Sequence, residues 1–156
     1  MPLDAQNFGP IETVDQWRAF VAAFDDRTLP QSLWTHRAHL TVGLWYVLHH
    51  GPVAALELLR VGIRQYNTAV GVANTDSAGY HETLTRFYVM ALDDFVSRSG
   101  ERGPTPSLLT RLAACESLLD SSWPLMFYTR EHILSVEARR NWVEPDVAPL
   151  PFDNKL

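Results

Sequence analysis

Helical periodicity, cut at regular intervals by strong stop signals, governs what this sequence can fold into. Apolar residues recur three and four positions apart along most of the chain, and strict period-two alternation is nearly absent, which predicts an all-α fold. Thr13-Val14-Asp15-Gln16 has the spacing of a capping box, in which the Thr hydroxyl and the Gln amide satisfy each other's free backbone N–H groups. A first helix then runs to about Phe24, with Trp17, Phe20, Val21 and Phe24 on one face. Asp25-Asp26-Arg27 and Pro30 stop it. A second helix is expected over 35–50. Gly51 there supplies a left-handed C-cap, and Pro52 opens a third helix at a position that needs no N–H donor.

The third helix carries Leu56, Leu59 and Ile63 to about Tyr66, and the polar, glycine-flanked segment 71–79 breaks the pattern. A fourth, over 81–97, presents Leu84, Tyr88, Ala91, Leu92 and Phe95 and ends at Gly100. Thr105 or Ser107 caps a fifth helix to Leu119. Short helices are expected over 122–128 and 135–142, separated by Thr129-Arg130. From Pro145 the tail, with Pro149 and Pro151, is expected to lie extended across the surface. The reading is a compact bundle of about five main helices, one domain over 1–156, with short C-terminal helices and this tail.

Length and composition support it. A chain of 156 residues buries about two thirds of its unfolded surface, enough for a core, and five Trp, five Tyr and seven Phe supply the anchors. The formal charge is −5 and the basic residues are scattered apart from Arg139-Arg140, so no nucleic-acid partner is expected. Cys115, the only cysteine, excludes an internal disulfide and a multi-thiolate metal site, and sits on an apolar stripe as a core residue. The start lacks a secretory pattern, and no apolar run approaches the roughly 20 residues of a membrane span. No membrane partner and a cytoplasmic location are expected.

The candidate chemistry lies in two polar clusters, Trp34-Thr35-His36-Arg37-Ala38-His39-Leu40 and Tyr80-His81-Glu82-Thr83-Leu84-Thr85. On helices, His36 and His39 share a face that Gly43 continues, and His81, Thr85 and Tyr88 share another, with Glu82 on its flank and Arg86 one turn on. Neutral imidazoles suit borderline divalent metals, and three of them leave a coordination position open. The expectation is that His36, His39 and His81 hold one transition metal, zinc, iron or copper. Glu82 then serves as fourth ligand or proton acceptor, Thr85 joins the catalysis, and Tyr88, Arg86 and Trp34 contact the substrate. That equipment suits a small-molecule enzyme of hydrolase or lyase type.

Each residue also has a plain structural role. A histidine on an apolar face is commonly bonded to a carbonyl; Thr85 can satisfy its own helix, Tyr88 can fill the core, Arg86 can pair with Glu82, and Trp34 can plug the end of the bundle. His49-His50 fits a helix C-terminus and His132 a helix start. Two rival functions stand beside the metalloenzyme. One is a metal-free His–Glu acid/base dehydratase, cyclase or isomerase. The other is a non-enzymatic ligand-binding or metal-sensing module, with homo-oligomerisation an option. No Gly-x-Ser-x-Gly, phosphate loop or dinucleotide motif is present.

The two clusters, with Ser135-Val136-Glu137-Ala138-Arg139 and Val143-Glu144-Pro145-Asp146, resemble an uncharacterised family of small bacterial all-helical proteins marked by W-x-H-x-x-H-L and Y-H-E-T-x-T. The likeness runs from about Trp34 to Pro151. It implies that His36, His39, His81, Glu82 and Thr85 belong to the family pattern, and it transfers no activity. A remoter similarity of layout is to the DinB-like bundles, in which histidines from separate helices converge on one divalent ion.

Overall fold

The computed structural model describes residues 9–156, and among them the secondary structure is helical throughout, without a strand. Helix α1 (Val14–Asp25) starts at the capping box: the Gln16 N–H donates to Thr13 Oγ1 at 3.1 Å, and the Thr13 N–H donates to Gln16 Oε1 at 3.0 Å. Its apolar stripe buries Trp17, Phe20, Val21 and Phe24. The Trp17 indole N–H donates to the Thr41 carbonyl, so the largest core side chain leaves no polar atom unmet.

Helix α2 (His36–Ala69) is capped by Thr35 and sharply broken at Gly51, whose φ of 77° and ψ of 169° interrupt the helical run just before Pro52. Its two halves are the expected second and third helices. Helix α3 (Glu82–Ser99) ends at Gly100, left-handed with φ 73°. It packs on α2 more extensively than any other pair, and Gly43 lets it come close: a Cβ on Gly43 would stand 2.9 Å from Leu92 Cδ1. Helix α1 covers α2 from another side.

The C-terminal third differs from the periodicity reading. Thr105 caps α4 (Pro106–Ala113), but the expected long helix stops there and restarts as α5 (Glu116–Leu119). Continued without a break, the stripe of Leu108, Leu109 and Leu112 would have turned Glu116 inward. The extended Cys115 rephases the chain, so that Leu118 is buried and Glu116 stays exposed. After a 3-10 turn (Trp123–Met126), Thr129 caps a further one-turn helix, α6 (Arg130–Ile133), instead of merely separating two others. Ser135 caps α7 (Val136–Arg140), which packs on α3.

The tail is pinned rather than laid over the surface. Asp146 accepts from the Thr129 N–H and hydroxyl, Val147 N–H donates to the Phe127 carbonyl, and Phe152 is buried against Phe87 and Trp123. No helix among the described residues is long and apolar enough to cross a membrane.

Candidate functional site

Between α2 and α3 lies a partly open cavity of about 420 Å³. Thr35 starts α2, so His36 and His39 come one turn apart on its inward face, with Leu40 and Gly43 beyond them. Leu59 and Ile63 come from the second half of α2, and Tyr80, His81, Leu84, Thr85, Tyr88 and Leu92 from α3 and its approach. Val72 and Gly79 close one side from the loop between them. Of the expected site residues, the cavity gathers Trp34, His36, His39, His81, Thr85 and Tyr88. It leaves out Glu82 and Arg86.

Hydrogen bonds decide what each imidazole has left. A carbonyl only accepts, so the ring nitrogen facing one must carry the hydrogen. His36 Nε2 donates to the Leu118 carbonyl at 2.8 Å, fastening α5 to α2, and its Nδ1 meets no hydrogen-bond partner among the described residues. His39 Nδ1 donates to the Thr35 carbonyl one turn back at 2.7 Å, leaving Nε2 with its lone pair. Burial depresses the His39 pKa to about 4, partly opposed by the Thr35 bond and reinforced by the nearby His36, so the ring is neutral near pH 7. The His39 ring lies 3.8 Å from Trp34, whose other face stacks on Phe24 at 4.5 Å. Trp34 is thus both a plug and a wall.

His81 plays another part. It is the N-cap of α3: Nδ1 accepts the Leu84 N–H at 3.2 Å while Nε2 donates to the buried Ile133 carbonyl at 2.7 Å. Both nitrogens are spent, and burial holds the pKa down despite the Ile133 bond. The expected set of three metal-binding imidazoles therefore offers two open nitrogens instead of three, and among the described residues no group of three or more His, Cys, Asp or Glu side chains is placed to hold a metal ion.

Glu82, expected as a ligand or proton acceptor, faces α2. Arg60 Nε donates to both its oxygens at 3.0 Å and the Tyr80 hydroxyl donates to Oε2 at 2.7 Å. Burial alone would raise its pKa, and these bonds outweigh it, leaving the carboxylate below its usual range. The carboxylate is thus engaged within the protein, joining α3 to α2. Arg86, expected to hold substrate or to pair with Glu82, instead lies over the Trp142 ring and donates to Asn154 and to the Leu156 backbone oxygen.

The second cluster is, residue by residue, a junction. Thr83 donates to the Asn141 carbonyl and accepts from the Val143 N–H, tying α3 to the end of α7. Thr85 donates to the His81 carbonyl. Tyr88 donates to the Asp120 carbonyl at 3.3 Å with its ring against His36, and burial raises its pKa. His49 and His132 are each bonded to a backbone carbonyl away from the cavity.

The sequence reading missed Tyr80, Asn67 and Val72 as cavity walls. Tyr80 had a signal in its place beside His81; Val72, in a loop, had none. A second hollow of about 760 Å³ lies between residues 9–12, Phe20 of α1, the first turns of α2, and α4, and the described residues that line it include no imidazole and none of the expected site residues. Compared with family models, curated proteins and solved structures, the chain matches none.

Proposed function

We propose that this chain binds a small organic molecule in the cavity between α2 and α3, with His36 and His39 as its polar contacts. The observation that carries the reading is a mostly apolar hollow of about 420 Å³ lined in part by a neutral imidazole whose Nδ1 is spent on Thr35, leaving Nε2 for a ligand. Small-molecule sites commonly fall between about 300 and 1,000 Å³ and combine apolar walls with a few placed polar groups.

Binding fits the site better than proton transfer does. With its pKa near 4 instead of 6.5, His39 is a base weaker by roughly three-hundredfold, well off the match to operating pH that general-base catalysis favours. Such a nitrogen accepts hydrogen bonds more readily than protons. Among the described residues, a divalent metal would meet only His36 Nδ1 and His39 Nε2 and would have to draw the rest of a shell of about four from elsewhere. Ligand binding needs no such addition.

Leu84 lines the cavity and is half-buried, so Leu84→Trp fills the space from its wall. Screening small organic molecules by thermal shift should yield ligands that raise the Tm by about 2 °C or more, with the gain lost in Leu84→Trp. No such ligand, or ligands indifferent to that substitution, would contradict the reading. Turnover of a bound ligand, abolished in His39→Gln with affinity kept, would instead establish an enzyme.

A further inference from the structure

We infer that the ligand of this cavity is an uncharged molecule that donates hydrogen bonds, of the kind represented by a phenol or a neutral alcohol on a flat apolar frame. The inference rests on the preceding reading of the cavity as the ligand site, and goes beyond it by naming the chemistry admitted there.

Two observations carry it. The first is charge. Among the described residues, no Asp, Glu, Lys or Arg side chain lines the cavity. The nearest charged groups stand behind the walls: Arg60 is paired with Glu82, Arg64 lies over the Tyr80 ring, and Arg139 donates to the Gly79 and Tyr80 carbonyls. Moving an ion out of water without a counter-charge is costly, so this hollow opposes carboxylates, phosphates and ammonium groups alike.

The second is the direction of the hydrogen bonds. The hydroxyls of Tyr80, Thr85 and Tyr88 all donate to protein oxygens, namely Glu82, the His81 carbonyl and the Asp120 carbonyl. The ring N–H groups of His36, His39 and His81 likewise all donate to backbone carbonyls. What these side chains have left is lone pairs, chiefly His36 Nδ1 and His39 Nε2. At these two nitrogens, a ligand that offers only acceptors meets lone pair against lone pair. A ligand with an O–H or N–H completes both imidazoles at no cost to the bonds that hold them.

The residues that set the shape agree. Leu40, Leu59, Ile63 and Leu92 give apolar walls, and at one end the His39 ring lies over the Trp34 ring, centroids 3.8 Å apart and planes 33° from parallel, an aromatic pair against which an aromatic frame can pack.

Calorimetric titration of the whole chain at neutral pH with four matched probes tests the class directly. They are 2-naphthol, its methyl ether, 2-naphthoate and 2-naphthylmethylammonium, which share one frame and differ in donor and charge. The expected result is that 2-naphthol binds about tenfold or more tighter than each of the others, the scale of one buried hydrogen bond or of an unmatched charge. His39→Phe keeps a ring on Trp34 without the lone pair, and should bring 2-naphthol to within about threefold of the ether.

An ether as tight as the naphthol overturns the donor requirement, and either ion as tight overturns the requirement for neutrality. In both cases loss of binding in Leu84→Trp would show that the cavity itself is the site, so that only the ligand class has failed. If no probe binds, or Leu84→Trp leaves binding unchanged, the cavity reading fails and takes the inference with it.

Discussion

Glu82 and His39 show how a single side chain changes meaning with its partners. Both lie in polar clusters that suggest chemistry, yet Glu82 is closed off by Arg60 and Tyr80 while His39 keeps one nitrogen open. Substituting Glu82→Gln leaves Arg60 facing a neutral amide at a half-buried site. We expect a loss of about 2 kcal/mol in unfolding free energy, below the roughly 3–5 kcal/mol of a fully buried pair because Arg60 retains 28% exposure. Ligand affinity should change by less than about threefold, since the carboxylate does not line the cavity. Denaturant unfolding and calorimetry on the same variant measure both; a large affinity loss at unchanged stability would return Glu82 to the site. The sequence displays both residues as titratable groups in a cluster, and nothing in it reveals that Arg60, 22 positions away, faces one of them.

At the scale of the element, glycines at chain corners place the cavity walls. Gly51 and Gly79 both have φ near +78°, at 77° and 79°, but their surroundings differ. A Cβ at Gly51 meets nothing within 4 Å, whereas at Gly79 it would stand 2.5 Å from the Ala73 carbonyl oxygen. Gly51→Ala should therefore cost only the backbone term, about 1 kcal/mol. Gly79→Ala should cost distinctly more and also weaken ligand binding, because Tyr80 and His81 follow directly. Equal losses in Tm for the two would show that the 71–79 loop yields freely and does not fix that wall.

Caps and stops account for what was legible in the elements. The Thr13, Thr35 and Thr105 caps, the Gly51 corner and the Gly100 end all stand where local chain chemistry puts them. The break at Cys115 and the burial of Phe152 do not. Each follows from which distant surface needs covering, a tertiary demand that periodicity within one segment does not carry.

For the whole molecule, buried neutral imidazoles make stability depend on pH. His39, at about 4 when folded against 6.5 in the unfolded chain, refuses a proton that the unfolded chain accepts. Its contribution is fully present above about pH 6.5 and is lost progressively as the pH falls toward 4, and His81 acts in the same direction. Glu82, whose pKa is lowered from 4.5, adds a loss that lies mainly below that window. For His39 the shift corresponds to about 1–3 kcal/mol, the lower part of that range reflecting water in a partly open cavity. Unfolding free energies measured at about pH 7 and about pH 5 should fall in the parent chain and fall less in His39→Phe. Equal slopes would remove His39 from the balance.

Nitrogen NMR of the His39 ring, in protein labelled at histidine, reads the protonation and the ligand contact of Nε2 directly. The ring should be neutral and protonated on Nδ1, titrating near 4 rather than 6.5, and its Nε2 resonance should move when 2-naphthol is added and stay still in Leu84→Trp. A ring that titrates at its ordinary value and ignores the ligand would contradict both.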